Sequence, residues 1–423
     1  MNSQALITLS QNAFMIAFFL YCLSFIFYMI SYGGKRWRNN DTQTHTKRWS
    51  LVAFILAMAG FVTHITYFFT RWIGSNQVPT SNMYEFMAFM GLVIMLVFII
   101  MTAIYRSWVL GLFTLPLTII ILAYASVFPK EVQPLIPALK SIWLGIHVTM
   151  AALGNAFFAI GFIAGLMYLL RVIDFKGTTP KARRMERWLE LMVYFIIIII
   201  GFIIAIFAFR GVGYEAEFLL EKVSVDAKGK ISTTEENIVY HLPPIFKPYN
   251  SNDIEIGTYF GLRTALFETP SWMEGVNAAR KWNTIVWSLL TGSLLYGLLR
   301  LMLRRPVGSV LHRVLRKLDP EQLDEISYRA IVIGFPVYTL GALIFAMIWA
   351  NIAWGRFWGW DPKEVWALIT WLFYSAYLHL RLSRSWQGMN AAWLSVIGFI
   401  VVMFTLIGVN LIIAGLHSYS GVS

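Results

Sequence analysis

A tryptophan-rich segment carries the side chains best suited to binding chemistry in this chain. Residues 349–366 read WANIAWGRFWGWDPKEVW. Trp354, Trp358 and Trp360 offer rigid apolar area and indole N–H donors, and Arg356 is a suitable partner for a carboxylate. Such a surface suits a large, flat, aromatic ligand, for which a porphyrin is the leading candidate.

The same segment also has a purely structural interpretation. Tryptophans collect at the interfaces of membrane proteins whether or not a ligand binds there. Asp361, Pro362 and Glu364 make a good helix start, with Asp361 as the N-cap and Glu364 closing a capping box. Capping and ligand contact are alternatives for the two carboxylates, and one residue can do both.

Histidines are the second group of candidate ligands, and the chain has seven. His45 and His312 fall in basic stretches and are interpreted as solvated, while His241 has no matching ligand nearby in the sequence. The remaining four lie in apolar helices or at their edges, where a polar ring is a functional candidate by default. They are His64, His147, His379 and His417. For each one alone, a structural role explains the residue as well as metal ligation does.

Membrane helices must position these residues. Of the 423 residues, 58% are hydrophobic and 13% are charged, and apolar runs of helix-spanning length recur along the whole chain. This pattern predicts an all-α polytopic membrane protein with about ten transmembrane helices. The predicted spans are 13–33, 51–72, 84–105, 108–128, 142–170, 189–210, 283–303, 329–353, 364–380 and 391–415.

Basic residues predict how these helices are oriented. A formal net charge of +12 would suggest nucleic acid in a soluble protein, but here the Lys and Arg residues concentrate in every second loop. The positive-inside rule then predicts that both termini, the tryptophan segment and the insert 211–281 lie outside. The insert is expected to form a small cap with some strand character, serving as a lid or partner dock rather than in chemistry. The basic, amphipathic segments 173–188 and 304–328 are expected to lie against lipid headgroups.

Thiol and nucleotide chemistry are not expected of this chain. Cys22 is its one cysteine, so no disulfide or Cys-x-x-Cys motif is possible, and any thiols must come from a partner. Cys22 lies in the first apolar run, which no positive charge precedes; this run is therefore interpreted as a retained helix rather than a signal peptide. We find no glycine-rich nucleotide-binding loop and no internal repeat.

Depth in the membrane divides the candidate histidines. His147 is predicted near the outer end of the fifth helix and His417 just after the tenth, on the same side as the tryptophans, so the pair could bind one iron from opposite faces. His379 lies ~22 Å along its helix from Glu364, whereas His64 lies only ~10 Å below the outer edge. The two are therefore poor co-ligands, and an iron at His379 would need a ligand from another polypeptide.

Four motifs resemble a known family. They are WGRFWGWDPKE (354–364), WALITW (366–371), YLHLR (377–381) and the stretch from Gly-Val-Asn to Gly-Leu-His-Ser-Tyr (408–419). They closely resemble the CcsA/ResC family of system II cytochrome c biogenesis, part of the heme-handling superfamily defined by a tryptophan-rich "WWD" segment. The PTSNMYE stretch (79–85) and the region around His147 also resemble family elements, so the resemblance covers most of the chain.

This resemblance implies two heme sites in a single heme-handling domain, 1–423. The outer site would use His147 and His417 as iron ligands, with the WWD segment, including Trp354, Arg356, Trp358, Trp360, Asp361, Glu364 and Trp366. The inner site would use His379 with a histidine from a CcsB/ResB-type membrane partner. His64 falls outside the implied set and is expected to be structural or accessory.

The resemblance also implies an activity, that of a holocytochrome c synthase working with its partner subunit in the bacterial cytoplasmic membrane. Heme b would pass outward and be attached covalently to the Cys-x-x-Cys-His motif of an apocytochrome c, whose thiols a thioredoxin-like reductant keeps reduced. Positioning of the heme would be the main contribution to catalysis. No nucleic acid is expected to bind.

Two other functions would require different sequence features. A b-type cytochrome subunit needs paired histidines at matched depths, and only the outer pair qualifies; electron transfer also gives no reason for so exposed a tryptophan surface. A secondary transporter without heme usually shows broken helices and inverted repeats, which the sequence does not display. The family resemblance is the better explanation.

Overall fold

Long apolar runs fold into helices close to the predicted ones. The computed structural model describes residues 2–33, 42–132, 141–175, 177–225, 231–256, 265–273, 276–316 and 318–409. Its α-helices are α1 (Ser3–Gly33), α2 (Thr42–Ser75), α3 (Met83–Tyr105), α4 (Leu110–Ala125), α5 (Ile142–Val172), α6 (Pro180–Gly211), α7 (Val276–Leu303), α8 (Val307–Leu315), α9 (Pro320–Tyr338), α10 (Ala346–Trp354), α11 (Pro362–Arg381) and α12 (Met389–Met403). Two π-helical segments interrupt this pattern, Thr339–Phe345 between α9 and α10 and Phe404–Gly408 after α12.

Eight helices in the described part of the chain are long and apolar enough to cross a membrane. The other two predicted spans are helical as well, but α4 and α11 fall short for different reasons. The sixteen residues of α4 rise only about 24 Å, against a hydrocarbon core of about 30 Å. Charged residues at both ends of α11, with its tryptophans and tyrosines, lower its hydropathy. The prediction of an all-α polytopic membrane protein is confirmed, while the orientation in the membrane stays a prediction.

The first of two compact units comprises residues 1–183 and 311–423. Helix α5 is its central element and is buried along most of its length, and α3, α9 and α12 pack around it. Gly161 allows α9 to approach closely, because a Cβ there would lie 2.7 Å from Ile331 Cγ1. Gly165 does the same for α12, where Ser395 occupies the space that a Cβ would need. Small residues at helix contacts are the usual means of close packing in membranes.

The second unit, residues 184–310, contains the insert between α6 and α7. Its strands are β1 (Ala216–Val225), β2 (Ile231–Tyr240), β3 (Phe246–Lys247), β4 (Ser251–Ile256) and β5 (Phe267–Glu268). They form an antiparallel sheet of order β2-β1-β4 and a short parallel pair, β3 with β5. Asn283 of α7 accepts from the backbone N–H groups of Ile245 and Phe246 and so ties β3 to the helix. The predicted strand character of the insert is confirmed.

Candidate functional site

A cavity of about 210 Å³ lies in the first unit beside the tryptophan-rich segment; we call it the tryptophan cavity. Its walls come from α5, the end of α9 and its π segment, α10, the turn that leads into α11, the π segment after α12 and the turn before α3. Its aromatic, charged and other polar lining residues include His147, Trp349, Trp358, Lys363, Glu364, Asn155, Tyr338, Ser81, Asn82 and Thr405. The remaining lining is mostly apolar. An apolar pocket with a few convergent polar groups is typical of a ligand site.

Among the described residues, His147 supplies the imidazole at this cavity, and its ring is held in a defined orientation. Its Nδ1 lies 2.9 Å from the carbonyl oxygen of Gly341, and its ring is nearly parallel to that of Trp349, with 6.0 Å between centroids and 7° between planes. A carbonyl oxygen can only accept, so Nδ1 is the donor, and in the neutral ring the lone pair lies on Nε2. In metal-binding histidines, the ring nitrogen that does not bind the metal usually donates to such an acceptor, and this contact orients the ring.

The acceptor for His147 belongs to a π-helical segment. The Ala346 N–H bonds to the Gly341 carbonyl five residues earlier, so the turn is wider than an α-helical one. Gly341 also lies against α5, because a Cβ at this position would collide with the backbone nitrogen of Ala151. Single π turns in α-helices occur frequently at functional sites, and this one brings a backbone oxygen to the histidine.

The tryptophan-rich turn is ordered by the start of α11. Glu364 Oε2 accepts from the Gly359 N–H at 2.7 Å and from the Asp361 N–H at 3.3 Å. The predicted capping box of Asp361 and Glu364 is present, and Asp361 is buried. Trp360 takes a left-handed backbone conformation, φ 57°, which is uncommon for a residue other than glycine. The carboxylate of Glu364 therefore holds a turn that costs conformational energy.

The tryptophans differ in how they meet the cavity. Trp358 and Trp349 line it, and Trp354 packs edge-on against Trp349 with centroids 6.4 Å apart. Trp360 contacts Trp358 at 5.9 Å but remains 70% exposed. Trp366 packs on the ring of Phe404, in the π segment after α12, at 4.4 Å.

Of the predicted outer-site residues in the described chain, His147, Trp358 and Glu364 are brought together around the cavity. Trp354, Arg356, Trp360, Asp361 and Trp366 are not among its lining residues. Arg356 is exposed, with its guanidinium over Gly359. The indole nitrogen of Trp358 is buried and has no hydrogen-bond partner within the described residues. It is therefore a donor that a ligand could satisfy.

Sequence reasoning passed over Lys363, which lines the cavity and is half-buried. Burial lowers the pKa of Lys363 to about 8, and the charge of Asp361 opposes this shift. Lys363 lies between Asp361 and Glu364, which were predicted to cap the helix. Nothing in the sequence marked it separately as a site residue. Trp349 and Gly341 were also passed over as site residues; Trp349 was visible as the first residue of the motif, whereas nothing local marks Gly341.

His417 lies outside the described residues. The last described part of the chain, the π segment after α12, contributes Thr405 and Leu406 to the cavity lining. The convergence of His147 and His417 on one iron therefore stays a prediction.

His379 is exposed on the surface of α11, in the last turn of that helix. It is not among the residues that line the tryptophan cavity, and fifteen residues of helix separate it from Glu364, a rise of about 22 Å. The structure thus keeps the two predicted sites apart along α11.

His64 belongs to a closed group of rings that we call the His64 cluster, made of His64, Phe14, Tyr21 and Tyr67. His64 is fully buried, and its Nδ1 lies 3.3 Å from the hydroxyl oxygen of Tyr21. The centroids of Phe14 and Tyr67 lie 6.2 Å and 5.8 Å from that of His64. These contacts fit the expected structural role.

A buried ion pair next to this cluster shapes one wall of the cavity. Arg71 Nε donates to Glu85 Oε1 at 2.6 Å, and both side chains are fully buried. The other oxygen of Glu85 accepts from the backbone and side chain of Ser81. Asn82 caps α3 by accepting from the Glu85 N–H at 2.8 Å. Ser81 and Asn82 line the cavity, so the PTSNMYE stretch and the tryptophan-rich segment face one space.

The interpretation of His312 as a solvated side chain was wrong. It is half-buried in α8, its Nδ1 lies 2.8 Å from the carbonyl oxygen of Leu170, and its ring contacts Phe175. The amphipathic helix α8 places the His312 ring against the end of α5. His241, in the insert, is exposed and lies 3.7 Å from a carboxylate oxygen of Glu215.

Comparison with known proteins gives a consistent result. The model of the family described as "Cytochrome C assembly protein" matches residues 80–229 and 299–417, more than half of the chain. A relative from Nostoc punctiforme, named cytochrome c biogenesis protein CcsA, is 33% identical over 354 residues, or 82% of each chain.

Other relatives of the same name agree. The protein from Gloeobacter violaceus is 30% identical over 87% of this chain and 84% of its own. The protein from Heterosigma akashiwo is 30% identical over 82% of this chain and 79% of its own. The family match includes the tryptophan-rich segment and the cavity walls from the turn before α3, from α5 and from the π segment after α12. This chain therefore belongs to the cytochrome c assembly protein family, and specifically to its CcsA branch.

Proposed function

We propose that this chain receives heme b as cargo, brings it to the outer face of the membrane and presents it for covalent attachment to an apocytochrome c. Membership of the cytochrome c assembly family supports a role in cytochrome c biogenesis, and the relatives are named for that process. The finer steps below are our inference from the site.

The observation that carries the proposal is the orientation of His147. A carbonyl oxygen fixes its Nδ1 proton, and its ring stands at an aromatic cavity lined by Trp349 and Trp358. An imidazole oriented through its Nδ1 and aromatic walls for the macrocycle are the features that heme binding requires. The residues present fit heme, and His417 is the proposed second axial ligand.

In the proposed reaction the chain acts by positioning its cargo. Each thiol of the apocytochrome motif adds across one heme vinyl group. Sulfur bonds to the carbon beside the ring, the thiol hydrogen ends on the terminal carbon, and no net oxidation occurs. The histidine of the motif then displaces one axial imidazole. Cys22 of this chain is half-buried within α1, so the reacting thiols come from the apocytochrome, kept reduced by a thioredoxin-like protein.

An inner site with a partner subunit is the second part of the proposal. His379 is exposed on α11 near the end opposite the tryptophans, so its imidazole is accessible to another chain. A CcsB/ResB-type membrane protein would supply the second ligand. We place the assembly in the bacterial cytoplasmic membrane, with the tryptophan cavity on the extracytoplasmic side, from the distribution of basic loops.

The first test is spectroscopic. The purified chain is expected to show the absorption of a bis-histidine heme, and His147→Ala or His417→Ala should weaken it and abolish maturation of a reporter cytochrome c. His241→Ala, which changes an exposed histidine of the insert, is the matched control and should leave both readouts unchanged. Normal maturation in both site variants would contradict the proposal. Heme binding without any covalent attachment would favour a b-type cytochrome instead.

The second test addresses the inner site. His379→Ala should remove a heme population that is present only when the partner is co-expressed, while the population that depends on His147 remains. Equal heme occupancy with and without the partner, in wild type and variant alike, would rule out the shared ligand.

A further inference from the structure

The last part of the insert is attached to the side of α7. Asn283 accepts from the backbone N–H groups of Ile245 and Phe246, and its amide donates to the Phe246 carbonyl oxygen at 2.8 Å. One turn further along the helix, the Trp287 indole N–H donates to the carbonyl oxygen of Pro243 at 2.8 Å. Strand β3 therefore lies beside α7, about two to three turns into the helix.

At this level α7 enters the membrane. Its apolar part, Ala278–Leu303, is long enough to cross a bilayer, and a hydrocarbon core of about 30 Å takes about 20 residues of helix. Counted back from the end of α7 at Leu303, these residues begin next to Asn283. Arg280 and Lys281 lie just before this point and are exposed, as long basic side chains are at the level of the headgroups. Strand β3 is thus held at the boundary between lipid and water.

The β3–β5 pair has one apolar face and one charged face. Its register pairs Phe246 with Phe267 and Lys247 with Glu268, and successive side chains of a strand point to opposite faces. The two phenylalanine rings lie 5.5 Å apart, and the ring of Phe246 lies 5.9 Å from that of Trp282 in α7. On the other face, Glu268 accepts from the backbone N–H just before β4. The apolar face therefore continues the apolar surface of α7.

Exposed apolar side chains collect at the same end of α7. Phe267 is 59% exposed, and Leu266 beside it is exposed as well. Trp272 is 79% exposed and lies in the short 3₁₀ turn that precedes α7. Large apolar patches are uncommon on surfaces that face water, whereas Trp, Phe and Leu are the residues that interfacial segments bury in membranes.

We propose that the β3–β5 pair anchors the insert in the lipid leaflet around the N-terminal end of α7, with Leu266, Phe267 and Trp272 inserted between headgroups and acyl chains. Lys247 and Glu268, on the opposite face, stay among the headgroups. An insert held in this way cannot swing away from the membrane as a lid without extracting these side chains. The inference is independent of the proposed function, because none of these residues belongs to the heme site.

The test measures depth in a bilayer with single-cysteine variants of the full-length chain. Cys22, the one native cysteine, is replaced by Ser, and a nitroxide label is attached in turn to Phe267→Cys, Trp272→Cys, Leu294→Cys and Asp253→Cys. Each protein is reconstituted into vesicles of phosphatidylcholine and phosphatidylglycerol. Power-saturation EPR then compares collisions of the label with oxygen, which dissolves among acyl chains, and with a water-soluble nickel chelate. Leu294, exposed on α7, gives the lipid reference, and Asp253, exposed on β4, gives the water reference.

The labels at Phe267→Cys and Trp272→Cys should lie about 5–10 Å below the headgroup boundary, between the two references. Nickel accessibility equal to that of Asp253→Cys would overturn the inference. Protection from both oxygen and nickel would also overturn it, since a protein surface rather than lipid would then cover the β3–β5 pair.

A charge on the apolar face should release the anchor. Phe267→Glu should move the label of Trp272→Cys into water and raise its nickel accessibility to that of Asp253→Cys, because a carboxylate is costly to bury in lipid. Ile254→Glu, at an exposed position of β4, is the matched control and should leave the label at its original depth. An unchanged depth in Phe267→Glu would show that the β3–β5 pair does not hold the insert in the membrane.

Discussion

The tryptophan cavity and the His64 cluster both place a histidine among aromatic rings in the first unit, yet the two imidazoles are used differently. His64 is fully buried, and the rings of Phe14, Tyr21 and Tyr67 surround it. His147 is half-buried, borders a cavity and is oriented by a backbone carbonyl. A histidine among apolar helices is therefore a good ligand candidate when it borders a cavity and when an acceptor orients its ring. Its residue type alone does not make it one.

The two regions are also joined through one wall. Arg71 follows the His64 cluster on α2, and its partner Glu85 organises the turn at Ser81 and Asn82, which lines the cavity. Loss of the Arg71–Glu85 pair is therefore expected to alter the cavity through this turn.

The largest difference is expected from removing each imidazole in turn. His147→Gly should lower cytochrome c maturation at least about 100-fold, because an axial ligand is lost. Added imidazole should restore part of it by binding in the vacated space. His64→Gly should reduce protein yield but should give no response to imidazole in the maturation assay. A His64→Gly defect that imidazole rescues would reverse the roles assigned to the two residues.

The buried ion pair should give the next largest effect, on stability. Arg71→Met leaves the Glu85 carboxylate buried without its counter-charge and should lower the free energy of unfolding by about 3–5 kcal/mol. The measurement is the thermal midpoint of the purified chain by circular dichroism. The double variant Arg71→Met/Glu85→Leu should recover much of the loss, since no charge then stays buried.

A matched control for this pair is Arg329→Met, which removes an exposed contact with Glu325 within α9. Little change is expected, because water screens exposed pairs. If Arg71→Met were as mild as Arg329→Met, the pair would not hold the cavity wall.

Gly341→Ala should affect the tryptophan cavity alone. The added methyl group would meet the Ala151 nitrogen, so the π segment or α5 must shift and the acceptor of His147 moves. Heme affinity should fall about 10-fold, as is common when the partner of a metal-binding histidine is disturbed. Gly297→Ala, in α7 with open space around the position, is the control and should keep full affinity. Unchanged heme affinity in Gly341→Ala would show that the Gly341 carbonyl does not orient His147 for heme binding.

The smallest effect is expected from Tyr21→Phe, which removes the hydroxyl that contacts His64. Loss of one neutral hydrogen bond should lower the free energy of unfolding by about 0.5–1.5 kcal/mol, while heme affinity stays at the wild-type level. The thermal midpoint and a heme titration on the same sample check both parts. A drop in heme affinity would link the cluster directly to the cargo.

Local patterns predicted much of the fold. Apolar runs located the helices, the Asp361 and Glu364 spacing predicted the capping box, and mixed polar and apolar stretches predicted strands in the insert. Two spans, 108–128 and 364–380, were predicted to cross the membrane but fall short in length or hydropathy. The site was predictable where the motif itself holds the ligand groups, as for Trp358 and Glu364, and was not predictable where a contact joins distant helices.

The sequence by itself determined the membrane class, the capped start of α11 and the choice of His147 as a candidate, because these depend on composition and on local sequence patterns. Only the tertiary structure decided that Gly341 orients His147, that Lys363 rather than Arg356 borders the cavity, and that His64 is enclosed. Those outcomes depend on the rotation of each helix about its own axis and on the π turn that contains Gly341. Both are set by the packing of residues that lie nearly two hundred positions apart in the sequence.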